Sequence, residues 1–312
     1  MTKGLAFVFP GQGSQKVGML AEIAEQEAVV KETFQEASDA LGYDMWDMVQ
    51  NGEQETLNLT ENTQPVLLTS SVAMWRVWQA RGGAAPSYMA GHSLGEFSAL
   101  VCAGSLSFAE GVKLVRARGQ FMQTAVPVGE GSMAAVLGLE DQVILDICQQ
   151  CSDAGVVEAV NFNAPGQVVI AGKVAAVDKA IEALKEAGAK RAMPLPVSAP
   201  FHTSLMQPAA EKLSEAINAI QWQAPSVPVI HNVHAKPEND EAAIRGILIK
   251  QLYSPVKWVD CVQAMVDAGV DTTLECGPGK VLSGLNKRIH KPLNCLNIED
   301  PASVDKALQA LA

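Results

Sequence analysis

The 312-residue sequence carries 23 Lys and Arg against 34 Asp and Glu, a formal net charge of −11. So acidic a chain lacks the basic footprint that binding to nucleic acid requires, which excludes that class of partner. Hydrophobic residues make up 48% of the chain, yet no apolar run approaches the roughly 20 residues of a membrane span. The first apolar stretch is too short for a secretory signal, so we expect a cytoplasmic protein without membrane contact.

The six cysteines are scattered along the chain, which indicates a reducing compartment rather than a disulfide scaffold. Cys148 and Cys151 form a CxxC pair, the spacing of many metal sites. Val143, Ile144 and Ile147 share their predicted helical face, and no second ligand pair is near in sequence. We therefore predict that these two cysteines pack in a core.

In chain order, "LAFVFP" (5–10) predicts a buried strand and "GQGSQKVG" a glycine-rich loop, followed by helical segments within 18–41. A long helix is predicted near 64–80, with Pro65 in its first turn. The strand "YMAG" then leads through a serine turn into a helix from about 95, and "VPVIHNV" and "DTTLEC" predict later strands. This alternation favours an α/β protein with a mainly parallel sheet covered by helices.

Between 128 and 198 the pattern changes to β-α-β-β-α-β, the ferredoxin-like order. The predicted strands are 133–138, 156–162, 167–171 and 190–195, and the predicted helices are 140–151 and 174–187. Pro and Gly flank the segment on both sides. We predict a subdomain of residues 128–198 inserted into a larger domain of residues 1–127 and 199–312, with the functional cleft between them.

The turn Gly91-His92-Ser93-Leu94-Gly95 has the GxSxG pattern between a predicted strand and helix. In this context the glycines allow a strained turn that exposes the serine, and the next backbone N–H faces an incoming carbonyl oxygen. Ser93 is therefore a candidate nucleophile and Leu94 a candidate oxyanion donor. An ordinary strand-to-helix turn remains the alternative.

A serine nucleophile needs a base, and histidine is the usual one. His92 adjoins the serine and should point away from it as a structural hydrogen-bonding residue, while His290 lies in a basic segment expected to be exposed. His231 and His234 lie three apart on a predicted strand, which favours opposite faces and argues against a shared metal. His202 follows the subdomain boundary and is the predicted base; no acid stands out to orient it, although a backbone carbonyl would serve.

Two glycine-rich segments suggest a nucleotide site, but neither completes its motif. Lys16 occupies the third glycine position of GxGxxG after Gly11 and Gly13, and Val281 replaces the Ser or Thr of a P-loop. The first segment is still suited to present a backbone N–H, so Gln12 is a candidate second oxyanion donor. A tight turn is the alternative for each segment.

Taken together, seven segments resemble the malonyl-CoA:acyl carrier protein transacylases, which share their architecture with the acyltransferase domains of fatty acid and polyketide synthases. These segments are "FVFPGQGSQ", "GHSLGEFSAL", "VRARGQFM", "NFNAPGQVVIAG", "SAPFH", "QLYSPVKW" and "ECGPGKVLSGL". The resemblance runs from residue 5 to about 290 in the family's motif order. It implies an α/β-hydrolase-like core with an inserted ferredoxin-like subdomain.

The resemblance also implies roles for individual residues. Ser93 would carry the acyl group, His202 would act as base and then acid, and the N–H groups of Gln12 and Leu94 would form the oxyanion hole. The main-chain carbonyl of Gln251 would orient the histidine, which would explain the missing acid.

The acyl group itself would meet two further residues. Arg118 matches the arginine that binds the malonyl carboxylate, although the sequence alone does not separate it from Arg116. Phe201, before the histidine, matches the residue that accompanies malonyl rather than methylmalonyl preference.

The expected reaction is ping-pong transfer of malonyl from coenzyme A to the phosphopantetheine thiol of acyl carrier protein, without a metal or redox cofactor. An acidic enzyme needs a basic patch to dock an acidic carrier. The candidates are Lys190, Arg191, Lys280, Lys287, Arg288 and Lys291. We expect a monomer, and the lack of attached synthase segments suggests dissociated fatty acid synthesis. A serine hydrolase and an acyl-sensing scaffold are the rival functions.

Overall fold

The computed structural model describes residues 4–197 and 199–312. The strands of this part of the chain are β1 (Leu5–Phe9), β2 (Tyr88–Gly91), β3 (Gly131–Leu137), β4 (Val157–Ala164), β5 (Gln167–Lys173), β6 (Arg191–Pro194), β7 (Val229–Ile230), β8 (Thr272–Cys276) and β9 (Asn294–Ile298). Its helices are α1 (Ala21–Gln26), α2 (Ala28–Leu41), α3 (Met45–Asn51), α4 (Gln54–Leu57), α5 (Thr60–Ala80), α6 (Leu94–Cys102), α7 (Phe108–Thr124), α8 (Asp141–Gln150), α9 (Val174–Glu186), α10 (Gln207–Ala219), α11 (Glu241–Gln251), α12 (Trp258–Asp267), α13 (Val281–Ile289) and α14 (Pro301–Ala310). None of these helices is long and apolar enough to cross a membrane.

The larger sheet has the strand order β7-β2-β1-β8-β9, and all its pairings are parallel. Every residue of the central strand β1 is buried. A continuous apolar run of this kind is typical of a parallel strand with helices on both faces. Strands β1 and β2 run side by side, with Phe9 opposite Gly91, so the loops that follow them begin at the same edge. The predicted α/β class is confirmed.

The smaller sheet has the order β4-β5-β3-β6, and all its pairings are antiparallel. With α8 and α9 it forms the predicted β-α-β-β-α-β arrangement, and its strand order is that of a ferredoxin-like sheet. Ile144 of α8 and Val177 of α9 are fully buried in a separate apolar core against this sheet. Cys148 and Cys151 belong to the same core as free cysteines, as predicted.

The smaller sheet contacts the rest of the protein where β4 runs beside the segment before α12. The N–H of Phe162 donates to the carbonyl of Val256 at 3.0 Å, and the Val256 N–H donates to Val160 at 2.8 Å. Strands of the smaller sheet lie between residues 131 and 194, inside the predicted subdomain. Its predicted end, at residue 198, lies outside the described residues, and the domain limits stay a prediction.

The start of the long helix α5 was predicted too late. It begins at Thr60, so Pro65 lies in the second turn rather than the first. The carbonyl of Leu59 accepts the N–H groups of Asn62 and Thr63, each at 2.8 Å, and this closes the first turn ahead of the proline. Proline preference for the first turn is a statistical signal, and the helix here tolerates the loss of one backbone donor.

Strand β7 is shorter than "VPVIHNV" suggests. Only Val229–Ile230 is strand, because the chain turns at once and the Ala235 N–H donates to the His231 carbonyl at 2.8 Å. The rings of His231 and His234 consequently meet edge to face, with centroids 6.0 Å apart. The prediction that they occupy opposite faces is wrong, since the two-residue period of a strand does not apply in a turn.

Candidate active site

Ser93 lies on a sharp turn between β2 and α6, at the edge where parallel strands end. Its backbone angles, φ of 51° and ψ of −108°, fall outside the regions that residues other than glycine ordinarily adopt. A Cβ on Gly91 would overlap the backbone of Gly95, and one on Gly95 would overlap the carbonyl of Phe9. Both glycines of the motif are therefore required for close backbone approach, as in a nucleophile elbow.

Replacing Gly95 with alanine will therefore destabilise the protein by about 3 kcal/mol, because the rigid backbone of β1 cannot retreat from the new methyl group. Denaturant unfolding measures this change. The control is Gly246→Ala in α11, where a Cβ meets nothing within 4 Å, and this variant will gain about 0.4–1 kcal/mol. Equal stability of the two variants would contradict the close approach.

Ser93 and His202 are in direct contact. Ser93 Oγ lies 2.7 Å from His202 Nε2, and His202 Nδ1 lies 2.9 Å from the main-chain oxygen of Gln251. The Nδ1–H therefore donates to that carbonyl, which leaves Nε2 unprotonated and facing the hydroxyl. His202 occupies a tight turn with φ of 64° and is 3% exposed. The geometry is that of a serine and its base, oriented without an acid.

Burial, and after it the nearby Arg118 cation, lower the pKa of His202 to about 3. A lowered pKa keeps the imidazole neutral, and able to accept a proton, throughout the neutral range. An unperturbed histidine, with a pKa of about 6.5, would be almost wholly protonated at pH 5.

We expect kcat/KM for acyl transfer to stay flat from about pH 8 down to about pH 5, because the base of the free enzyme remains neutral there. Initial rates of coenzyme A release across this range test the expectation. Arg118→Ala is the informative comparison: loss of the cation raises the His202 pKa and moves the acid limb upward. An acid limb near pH 6.5 in the native protein would contradict the shift.

Arg118 of α7 also contacts the Ser93 hydroxyl. Its Nη2 donates to Ser93 Oγ at 3.2 Å and to Gln251 Oε1 at 2.8 Å, and its Nη1 donates to Gln64 Oε1 at 2.8 Å. The side chain is 1% exposed, and burial lowers its pKa to about 9. Arg116 instead stacks on Tyr43, with its guanidinium 4.8 Å from the ring centre. The structure thus separates two arginines that the sequence left open.

The oxyanion candidates and Phe201 line one cavity of about 320 Å³ with Ser93 and His202. Leu94 is the first residue of α6, where a backbone N–H has no intrahelical acceptor. The side chain of Gln12 is anchored to Thr60 at 3.3 Å. Strands of the smaller sheet form one wall through Met133, Asn161 and Val169, and the segments that follow β1 and β2 form another. Its lining includes Gly11, Gln12, Gln64, His92, Ser93, Leu94, Arg118, Met122, Met133, Asn161, Asn163, Val169, Phe201, His202, Val281, Leu282 and Leu285.

The remaining histidines take no part in the Ser93 contact. His92 Nε2 lies 2.7 Å from Asn163 Oδ1, a hydrogen bond between the elbow and β4. His290 is half-buried rather than exposed, because the chain turns back after it and the Leu293 N–H donates to its carbonyl at 3.0 Å.

All six predicted docking residues are exposed. Arg288 donates to Gln167 at the start of β5, and Gln167 pairs with Leu137, which pairs in turn with Arg191. Lys190 precedes Arg191 in the chain. These contacts bring the basic end of α13 to the same end of the smaller sheet as Lys190 and Arg191.

Four buried polar residues of the site were not predicted from the sequence. Gln64 bonds Arg118, and Asn232 accepts the Ser93 N–H at 2.8 Å and donates to the Gly91 carbonyl at 2.8 Å. Glu96 accepts from the Asn232 N–H at 3.0 Å, and Asn161 lines the cavity. Only Glu96 carried a local signal, because it lies one helical turn after the serine.

A serine on a strained elbow, paired with a histidine inside an α/β fold, is the arrangement of enzymes that transfer acyl groups through serine. Residues 6–304 match the family described as acyl transferase domain. The malonyl CoA-acyl carrier protein transacylase of Salmonella typhimurium is 56% identical over 303 residues, which cover 97% of this chain and 98% of that protein.

Solved structures give the same result. An acyl carrier protein S-malonyltransferase from Vibrio cholerae superposes with a TM-score of 0.96 at 56% identity, covering 97% of this chain and 99% of that one. A malonyl-transacylase in complex with its type II polyketide synthase acyl carrier protein superposes with a TM-score of 0.97 at 52% identity, covering 98% and 99%. The chain belongs to the acyl transferase family, and it is an acyltransferase.

Proposed function

We propose that the protein transfers malonyl from malonyl-CoA to the phosphopantetheine thiol of acyl carrier protein through a malonyl ester on Ser93. The observation that carries the proposal is the position of Ser93 Oγ, 2.7 Å from His202 Nε2 and 3.2 Å from Arg118 Nη2. A base and a carboxylate-binding cation thus converge on one nucleophile. The relatives named for malonyl transfer support this substrate and this carrier.

In the first half-reaction His202 Nε2 takes the hydroxyl proton while Ser93 Oγ bonds to the thioester carbon. The resulting oxyanion accepts hydrogen bonds from the N–H groups of Gln12 and Leu94. The carbon–sulfur bond then breaks, and the leaving thiolate of coenzyme A receives the proton from His202. In the second half-reaction the carrier thiol gives its proton to His202 and its sulfur bonds to the ester carbon. The bond between that carbon and Ser93 Oγ then breaks, and His202 returns the proton to Oγ, which regenerates the Ser93 hydroxyl.

Arg118 selects acyl groups that carry a carboxylate. A guanidinium grips a carboxylate with two parallel hydrogen bonds, a geometry that lysine cannot reproduce. Arg118 Nε is buried and has no hydrogen-bond partner among the residues the structure describes, so a donor remains for an anionic substrate. Phe201, which is 8% exposed, narrows the cavity beside His202 and disfavours an α-methyl group by about 1–3 kcal/mol.

The reaction needs no metal or redox cofactor, since serine, histidine and backbone donors supply every step. We propose that the protein acts as a monomer in the cytoplasm and supplies extender units for fatty acid synthesis. The malonyl group enters as its coenzyme A thioester and leaves on the carrier.

Intact mass spectrometry tests the proposal. Incubation with malonyl-CoA will add one malonyl group on Ser93, and subsequent addition of holo acyl carrier protein will remove that mass and place it on the carrier. Methylmalonyl-CoA will load less. Release of free malonate and coenzyme A without a detectable ester would assign the protein as a hydrolase, and absence of any transfer would assign it as a scaffold.

We predict that the basic residues of α13 dock the acidic carrier. The double substitution Lys287→Glu and Arg288→Glu will raise KM for the carrier about tenfold, because the reversed charges repel the broad acidic surface of a carrier protein. Loading from malonyl-CoA will stay unchanged, because its acyl group is held at Ser93 and Arg118 inside the cavity. The matched control reverses two exposed charges that are distant from α13 in sequence, by Lys31→Glu and Lys212→Glu. The measurement is KM for the carrier in the native protein and in both double variants. An equal KM in the native protein and in the Lys287→Glu, Arg288→Glu variant rejects this docking surface.

A further inference from the structure

Glu96 is a fully buried acidic residue one helical turn after Ser93. Its hydrogen-bond partners among the described residues are His231 Nδ1 at 2.7 Å, the Asn232 backbone N–H at 3.0 Å and Gln251 Nε2 at 2.9 Å. We assign the ring proton of His231 to Nδ1, which makes all three partners donors. An ionised carboxyl only accepts hydrogen bonds, so it satisfies all three donors. A buried carboxylate whose hydrogen bonds are all satisfied is an organised part of the site, yet neither half-reaction of acyl transfer uses it.

The position of Glu96 is that of a capping box, but its contacts are not. In a capping box the third helical residue bonds the backbone N–H of the N-cap residue directly. Here the N-cap is Ser93, whose strained backbone directs its N–H to Asn232 Oδ1 at 2.8 Å. Glu96 binds the N–H of Asn232 instead. The elbow is therefore capped through an intermediate residue, and the Ser93 hydroxyl remains available for His202.

Gln251 connects Glu96 to both partners of the serine. Its main-chain oxygen accepts from His202 Nδ1 at 2.9 Å, and its side-chain Oε1 accepts from Arg118 Nη2 at 2.8 Å. Its Nε2 donates to Glu96 and, at 3.0 Å, to the Ser93 carbonyl. Because Arg118 only donates and a carboxylate only accepts, the Gln251 amide is held in one orientation.

Arg118 is a buried cation whose hydrogen-bond partners are all neutral. They are Gln64, Gln251 and the Ser93 hydroxyl, and no carboxylate pairs with it directly within residues 4–197 and 199–312. Glu96 acts on it across Gln251 and opposes the fall in its pKa. A carboxylate in direct contact would occupy the donors that an anionic substrate needs, whereas one beyond Gln251 contributes its charge and leaves them free.

We propose that Glu96 is a positioning residue for acyl transfer: its carboxylate orients Gln251, which holds His202 and Arg118, and it supplies the counter-charge of Arg118. The inference rests on the proposed malonyl transfer. Beyond Arg118, the titratable groups that face Glu96 are His231 and His234 after β7 and Cys261 of α12, and His202 faces Arg118. None of these is an anion that replaces Glu96 in neutral solution.

The test compares Glu96→Gln with native protein for loading of malonyl-CoA and of acetyl-CoA, which lacks the carboxylate. Glu96→Gln removes the counter-charge of Arg118 and weakens one of the hydrogen bonds that hold the Gln251 amide, so the malonyl-to-acetyl ratio of kcat/KM will fall about tenfold. Without the counter-charge the Arg118 pKa falls below about 9, and the alkaline decline of malonyl loading moves to lower pH. Lowering the pH will accordingly restore part of the ratio.

Two further variants separate charge from stability. Glu96→Asp keeps the charge, so it will retain the native alkaline decline and most of the native ratio. Glu275→Gln is the matched control, because Glu275 is equally buried and accepts from the N–H groups of Leu282 and Ser283 at 3.1 and 2.7 Å. It will lower the unfolding midpoint and leave the ratio unchanged.

The inference is overturned if Glu96→Gln lowers kcat/KM equally for malonyl-CoA and acetyl-CoA and leaves the alkaline decline of malonyl loading at its native pH. That result would show that Glu96 has only a structural role. If Glu96→Gln does not fold, Glu96→Asp tests the inference. The inference is overturned if the alkaline decline of malonyl loading moves in Glu96→Asp, or if this variant does not fold either. Failure of the native protein to load malonyl-CoA would instead overturn the proposed function, so the two failures are distinguishable.

Discussion

Ser93→Ala will abolish acyl loading, with a fall in transfer rate of about a million-fold by comparison with other serine–histidine enzymes. The expectation follows from geometry, because Ser93 Oγ is the hydroxyl that His202 Nε2 contacts at 2.7 Å. Intact mass after incubation with malonyl-CoA will show no adduct, and coenzyme A release will fall to the background rate. Binding of the thioester will persist, because the cavity walls and Arg118 remain.

The control for this variant is Ser98→Ala. Ser98 lies on the same helix, is fully buried and has no hydrogen-bond partner for its hydroxyl among the described residues. Its loss will leave loading unchanged. His202→Ala will be nearly as inactive as Ser93→Ala, and the double variant no worse than either, because nucleophile and base act as a unit. Retained transfer in Ser93→Ala would reject Ser93 as the acyl carrier.

The sequence predicted the parts of this site that depend on local order. Strand, glycine, serine and helix follow one another within a few residues, so the elbow at Ser93 was recognisable before any tertiary contact was known. The ferredoxin-like order was recognisable for the same reason, since periodicity and turns alone define six successive elements. His202 was identified from its place next to the subdomain boundary, where a cleft was expected.

Contacts between residues that are far apart in sequence could not be predicted. Asn232 meets Ser93 across 139 residues, and Gln64 meets Arg118 across 54. Asn and Gln are ordinary surface residues in composition, so neither carries a signal of burial. The paired histidines after β7 show the converse error. The two-residue period of a strand was applied as far as His234, although the strand ends at Ile230, and a turn brings together the rings that were expected to lie apart.

Arg116 and Arg118 show the same limit within one helix. Residues two apart on a helix face different directions, so only one of the two arginines can reach the cleft. Helical geometry does not reveal which, because the sequence order Val115-Arg116-Ala117-Arg118-Gly119 places small or apolar residues on both sides of each arginine. The stacking of Arg116 on Tyr43 and the burial of Arg118 beside Ser93 decide it.

Arg118→Ala will therefore lower kcat/KM for malonyl-CoA by about 10²- to 10⁴-fold, because each hydrogen bond to a buried charge contributes about 1.5–3 kcal/mol and two are lost. Acetyl-CoA has no carboxylate, so its loading will change far less, by about fivefold, because the only bond that Arg118 makes to the reacting groups is the long one to Ser93 Oγ at 3.2 Å. Measured with both thioesters, the variant converts a malonyl-selective enzyme into one with little preference.

Arg116→Ala is the matched control, since it removes the same side chain two residues away without touching the cavity, and its malonyl-to-acetyl ratio will be native. Arg118→Lys will resemble Arg118→Ala more than the native protein, because one ammonium cannot bond Gln64, Gln251 and a substrate carboxylate in the plane that the guanidinium spans. Equal losses with malonyl-CoA and acetyl-CoA in Arg118→Ala would show that the arginine supports Ser93 and His202 rather than reading the carboxylate.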